Sequence, residues 1–195
     1  MNDEPEPGLL SADEKSTLLG LSRLTMQKWL VQQRLVNPDS SGLVLSDALK
    51  NEGAAFVTLT IRGRLRGCIG HVIAIEPLYR SVMHNTIAAA TEDPRFPPVT
   101  LDEEREIHID ISVMSPLRDL DAPTDIVIGR DGLIIEKDGR RGLLLPQVAS
   151  EYGWDASEFL EHTCHKAGLP PDAWRKGAHI QAFSAQVFGE ESLPE

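Results

Sequence analysis

The sequence predicts an α+β fold, a mixed and mainly antiparallel sheet with flanking helices. Three observations carry that prediction. Two-residue turns, Arg62-Gly63 and Asp138-Gly139, separate apolar runs and read as hairpins. Capping patterns at Ser11 and Asp155 open helices. Hairpins and helices fall in separate groups without regular alternation, which disfavours a doubly wound parallel sheet.

The elements follow in order. Residues 1–10 hold three acids and two prolines and read as a disordered acidic tail, with residues 11–190 as a single domain. Ser11-Ala12-Asp13-Glu14 has the form of a capping box, and the helix it opens runs to about Arg34, burying Leu18, Leu21 and Trp29. Asn37 to Gly42 breaks the chain. Residues 55–61 (AFVTLTI) form a largely buried strand, returned by Gly63 into a second strand over 64–73. Pro77 stands in the first turn of a helix to Thr91, where its missing N–H is harmless. Asp93 to Pro98 contains three prolines and forms a stiff loop with Phe96 plugging the core. From Glu106 to Met114, Ile107, Ile109, Ile111 and Val113 alternate with His108, Asp110, Ser112 and Met114, a half-buried strand. Short strands follow at 125–129, 133–137 and 141–145, then helices at 146–152 and from Asp155 to about Ala167. A final strand spans 178–188.

Composition narrows the function. The net charge is −11, and the first 14 residues hold five acids and no base. The balance argues against a phosphate-neutralising nucleic-acid binder. Arg62, Arg64 and Arg66 form a local basic cluster that suits a small anion better than a duplex. Two cysteines, no secretory signal and no long apolar stretch point to reduced thiols in a cytoplasm. They also leave too few thiolates for a zinc ribbon or an iron–sulfur cluster, so no cofactor is expected.

The most informative stretch is Leu65-Arg66-Gly67-Cys68-Ile69-Gly70, in a region with no acidic side chain from Ala54 to Ile75. Glycines at 67 and 70 let another molecule approach the backbone, and an arginine two residues before a cysteine favours a thiolate or a bound anion. On a regular strand Arg64, Arg66 and Cys68 share one face, and His71 lies on the other. A bulge at Gly67 would break that parity. His162 and His165, three apart on a helix, lack a third ligand for zinc. Trp174 reads as an anchor for the C-terminal segment.

This stretch, the loop Asp93-Pro94-Arg95-Phe96-Pro97-Pro98, and the tract Leu144-Leu145-Pro146-Gln147-Val148 with Glu151 and Trp154 together resemble the AMMECR domain family. Its prokaryotic members are called AmmeMemoRadiSam system protein A. The likeness runs from roughly Leu18 to Phe188. It implies a larger and a smaller lobe around a cleft lined by the cysteine motif, and Memo-like and radical S-adenosylmethionine proteins as partners. His71 departs from the family pattern, where threonine is expected in many members, which weakens its claim to a catalytic role.

Two functional readings stand. In the first, an enzyme or enzyme subunit uses Cys68 on a small anionic substrate. Arg66 positions the anion and polarises the thiol, Asp93 or His71 moves a proton, and Gly67, Gly70, Arg64, Arg95 and Asp110 complete the ligand site. In the second, the same surface is a non-catalytic scaffold for a ligand or a partner protein. The sequence favours the first slightly. Each candidate has a structural counterpart: Cys68 as a small packed thiol, Arg66 paired with Asp110 or a glutamate, and Asp93 paired with Arg95 to fix the loop.

Overall fold

The computed structural model describes residues 9–38 and 42–190, so most of the acidic tail and part of the Asn37–Gly42 break lie outside the described residues. The chain divides into two compact units, one up to Met114 with the segment from Gln186 onward, the other Ser115–Ala185.

In the first unit, helix α1 (Ala12–Gln32) begins at the predicted capping box. Ser11 Oγ accepts from the Glu14 N–H, and the Glu14 carboxylate accepts from the Ser11 N–H. Leu10, assigned to the tail by sequence, is instead buried in the core. A one-turn helix, α2 (Asp47–Lys50), starts from the Ser46 cap and has no counterpart in the sequence reading. Strands β1 (Glu52–Ile61) and β2 (Arg64–Gly70) form the expected hairpin, with Arg62 and Gly63 both left-handed (φ 52° and 73°). The second strand ends at Gly70 rather than at 73. A two-residue strand, β3 (Glu76–Pro77), pairs with β1, and Pro77 then stands as N-cap of α3 (Leu78–Thr91). Strand β4 (Ile107–Met114) pairs antiparallel with β1.

The sheet order is β2-β1-β4-β9, where β9 is Ala185–Gly189. Val57, Leu59, Ile109 and Ile111 face a core shared with Leu18, Leu78, Val82 and Ala89. This periodicity matches the isoleucine alternation of β4. Between α1 and α3, Ser22 Oγ and Thr86 Oγ1 lie 2.7 Å apart in the interior, and Thr86 donates onward to the Val82 carbonyl. Arg23 gathers Glu104, Glu190 and the Ile107 carbonyl.

The second unit has a sheet in the order β5-β8-β6-β7, from β5 (Arg118–Asp119), β6 (Gly132–Lys137), β7 (Arg140–Leu144) and β8 (His179–Phe183). Helices α4 (Pro146–Tyr152) and α5 (Ala156–Lys166) accompany it. Leu133, Ile135, Phe159, Leu160, Cys164 and Ala182 build its core. The strand expected at 125–129 does not form. Asp131, buried below it, accepts the Val127 N–H and pairs with Arg118 and Arg130, so that segment's backbone serves a carboxylate rather than a ladder. The expected strand 178–188 is two strands in different sheets. They part at Ser184, whose N–H and C=O bond the Ser115 hydroxyl and N–H.

Candidate functional site

The cysteine motif occupies β2, at the edge of the first sheet. Its register against β1 runs Phe56–Gly70, Thr58–Cys68 and Leu59–Gly67, then shifts to Thr60–Leu65, leaving Arg66 as the extra residue of a β-bulge. The bulge corrects the face assignment made from a regular strand. Leu65, not Arg66, shares the face of Cys68, and Arg66 is turned aside along the sheet edge.

There the Arg66 guanidinium makes four hydrogen bonds. Nε and Nη2 donate to the two Glu103 oxygens at 2.8 and 3.1 Å, and Nη1 and Nη2 donate to the Pro97 and Pro98 carbonyls at 2.9 and 3.3 Å. This is the glutamate pairing weighed as Arg66's structural role. Arg66 and the Thr100 backbone N–H hold the Glu103 carboxyl down to about 2.

The Asp93–Pro98 loop closes over the same edge. The Cys68 N–H donates to Asp93 Oδ2 at 2.8 Å, and Arg95 Nη2 donates to the Cys68 carbonyl at 3.4 Å. Asp93 is buried and pairs with Arg95 at 2.7 Å. That pairing, with the Cys68 N–H, holds its carboxyl well below the usual carboxylate range despite burial. The two motifs thus form one clasp: the loop supplies a donor and an acceptor to an edge strand that otherwise presents open ladder groups. Val99 enters the core at the loop's end, while Phe96 stays half-buried beside Arg95.

The glycines answer to packing. A Cβ on Gly67 would lie 2.0 Å from the Ala89 carbonyl oxygen of α3, and one on Gly70 2.4 Å from the Phe56 ring. Both positions are filled by this chain itself.

The other candidates separate. His71 bonds back to α3, with Nε2 3.3 Å from Ser81 Oγ and Nδ1 3.5 Å from Asn85 Nδ2. Asn85 Nδ2 also donates to the Ala55 carbonyl, which fixes its amide as donor. It donates to Ser81 Oγ as well, so His71, Ser81 and Asn85 form one network against α3 that takes up both His71 ring nitrogens. Arg62 pairs with Glu106 at 2.8 Å, and Arg64 is exposed opposite Ile61. The basic cluster does not converge.

What Cys68 does share is the sheet face opposite α3. Across three strands Cys68, Thr58 and Asp110 stand in one row, Thr58 being paired to both. Thr58 Oγ1 donates to the Cys68 sulfur at 3.2 Å. His108 lies 3.5 Å from Asp110, and Phe56 and Ser112 flank the row, all half-buried. Sequence reasoning missed Thr58 and Glu103. The Arg62-Gly63 hairpin pairs the strand of Thr58 with the cysteine strand, but nothing local shows the bulge that brings Thr58 level with Cys68, or the pairing with β4 that adds Asp110.

Elsewhere, His162 stacks on Trp154 at 3.8 Å rather than meeting ligands, and no cluster of three or more metal-ligating side chains occurs among the described residues. No helix among them is long and apolar enough to cross a membrane.

The architecture is that of an α+β protein whose cysteine motif is clasped at a sheet edge. The AMMECR1 family model matches residues 19–188, and the chain belongs to that family. It is 42% identical over 188 residues to protein Mbar_A1807 of Methanosarcina barkeri, covering 94% of this chain and 93% of the relative. A Methanothermobacter thermautotrophicus protein is 44% identical over 190 residues, covering 93% and 97%. Among solved structures, the uncharacterized protein PH0010 from Pyrococcus horikoshii superposes with a TM-score of 0.79 at 36% identity, covering 95% of each chain.

Proposed function

We propose that the protein is a binding subunit, in which the Thr58–Cys68–Asp110 face receives a partner protein or its ligand and Cys68 is a contact rather than an activated nucleophile. One observation carries this reading. The Arg66 guanidinium, the group best placed by sequence to stabilise a thiolate, is bound to Glu103 and two prolyl carbonyls. The proton carriers considered with it are also committed: Asp93 to Arg95 and the Cys68 amide, His71 to Ser81 and Asn85. What remains on the face is a small, half-buried, mixed surface on a rigid sheet, suited to recognition.

Partners of the Memo-like and radical S-adenosylmethionine classes, implied by the family resemblance, are the first to test. Surface plasmon resonance with such proteins from the same organism should give a complex that Cys68→Ser preserves. Asp110→Lys on the same face should weaken it more than about tenfold, the loss typical of a like-charge or desolvated mismatch at an interface. Absence of any complex, or loss with Cys68→Ser while Asp110→Lys binds normally, would overturn the reading.

A further inference from the structure

The molecule closes one sheet edge and leaves another open. In the first unit the Asp93–Pro98 loop meets the ladder groups of β2 at Cys68. In the second, β7 is the last strand of its sheet, with β6 as its neighbour. Both residues of the Asp138-Gly139 turn are left-handed (φ 51° and 74°), which makes Lys137–Arg140 a hydrogen-bonded pair. Alternation along the ladder gives the same bonding to Ile135–Gly142 and Leu133–Leu144. The N–H and C=O of Arg141 and Leu143 therefore point away from β6, and they bond nothing among the described residues. Such an edge is a template for one more strand.

The rows that cross the ladder determine what that strand must carry. Arg141 is exposed, stands opposite Glu136 and forms no ion pair among the described residues. Arg140 is also exposed and stands opposite Lys137; it gives one N–H to the Gly168 carbonyl and meets no carboxylate. These two rows bring three cations and one carboxylate to the edge, and Asp138 lies in the turn outside them. Leu143 stands opposite buried Ile134, an apolar row. Opposite charges facing each other across strands are favourable and like charges are not. A matching strand therefore sets acids beside Arg140 and Arg141 and an apolar residue beside Leu143. A second copy of β7 matches poorly, because joining the two sets of open groups sets Arg141 against leucine.

We propose that β7 is a docking edge for an extended acidic segment of a partner protein, added antiparallel, with an apolar residue two positions before its acids. The segment's backbone pairs with the N–H and C=O of Arg141 and Leu143. Its carboxylates meet Arg141 and Arg140, and its apolar side chain extends the Ile134–Leu143 row.

The test is titration of the full ¹⁵N-labelled chain with three peptides, following the Arg141 and Leu143 amide resonances. The peptides are acetyl-TVTEET-amide, acetyl-TVTKKT-amide, and the acidic peptide N-methylated at its valine and first glutamate. The acidic peptide should shift both resonances saturably, with a Kd of about 1 mM, and slow the exchange of both amides with solvent. The lysine peptide and the N-methylated peptide should each bind at least about fivefold more weakly, one for its charge and the other for its lost backbone donors. Arg141→Glu, at an exposed position, should weaken the acidic peptide by a similar factor. Three results would overturn the proposal: no saturable shift up to about 10 mM acidic peptide, equal binding of the lysine or N-methylated peptide, or protection of both amides in the chain alone that rises with its own concentration.

Discussion

Gly67→Ala separates a glycine kept for packing from one kept for ligand approach. The added methyl carbon would sit 2.0 Å from the Ala89 carbonyl oxygen and 3.0 Å from its carbon, and both atoms are helix backbone. Restoring ordinary contact requires the strand and α3 to part by more than an ångström. Neither side yields easily. Strand β2 is hydrogen-bonded to β1 along one edge and clasped through the Cys68 amide by Asp93 on the other. Helix α3 packs on Val57 and Leu59 through Val82 and Ala89. The cost belongs at the upper end of overpacking, roughly 3 kcal/mol, a large part of the about 5–15 kcal/mol that stabilises a typical domain. With a urea m-value of about 2 kcal/mol/M, the midpoint should fall by roughly 1.5 M. Gly63→Ala is the control. It meets nothing within 4 Å but sits at φ +73°, so it should cost only about 1 kcal/mol. Urea unfolding followed by far-ultraviolet circular dichroism reads both. A Gly67→Ala midpoint within about 0.3 M of wild type would refute the packing argument and return this glycine to ligand approach.

Other outcomes follow from the same clasp. Glu103 is held at about 2 when folded, below the roughly 4.3 of an unfolded glutamate. Its contribution is therefore complete above about pH 5 and lost as pH falls toward 2. Glu103→Gln should lower stability by about 1 kcal/mol at pH 7, allowing for solvent screening of a partly exposed pair, and by almost nothing near pH 2; equal losses at both pH values would contradict the pairing. Asp93→Asn leaves Arg95 without its counter-charge and should expose the Cys68 amide to hydrogen exchange at least about tenfold faster; unchanged protection would show that the loop does not seal the edge. In the second unit, Asp131 is buried, and although burial raises its carboxyl, Arg130, the Val127 amide and Arg118 bring it below the ordinary value. Asp131→Ala takes the acceptor from the Val127 N–H while Arg118 and Arg130 stay partly exposed, so it should cost about 1–3 kcal/mol by calorimetry; a loss under about 0.5 kcal/mol would mean that the Val127 N–H finds another acceptor.

Much of the fold was legible because its signals are local. The Ser11 capping box, the two left-handed hairpin turns and the isoleucine alternation of β4 each lie within a few residues, and each appears where the sequence placed it. What escaped depended on partners far along the chain. Val127 and Ile128 look like strand residues, yet the nearby backbone is organised by buried Asp131 with Arg118. The break at Ser184 depends on Ser115. In the candidate site the same rule holds. Both motifs were visible, and so was the Asp93–Arg95 pair, but not that the loop closes on Cys68 from 25 residues away. Nor could sequence place the bulge at Arg66, because strand parity is set by the register against β1. That single extra residue moves an arginine from beside a thiol to the side chain of Glu103.

The most direct measurement of the central claim is the alkylation rate of Cys68 by iodoacetamide at neutral pH in the wild type and in Arg66→Gln, with buried Cys164 as internal control. If Arg66 serves the clasp, the variant reacts as fast as the wild type or faster, because a loosened edge admits the reagent. A fall of about tenfold or more would make Arg66 the activator of the thiol and contradict the account.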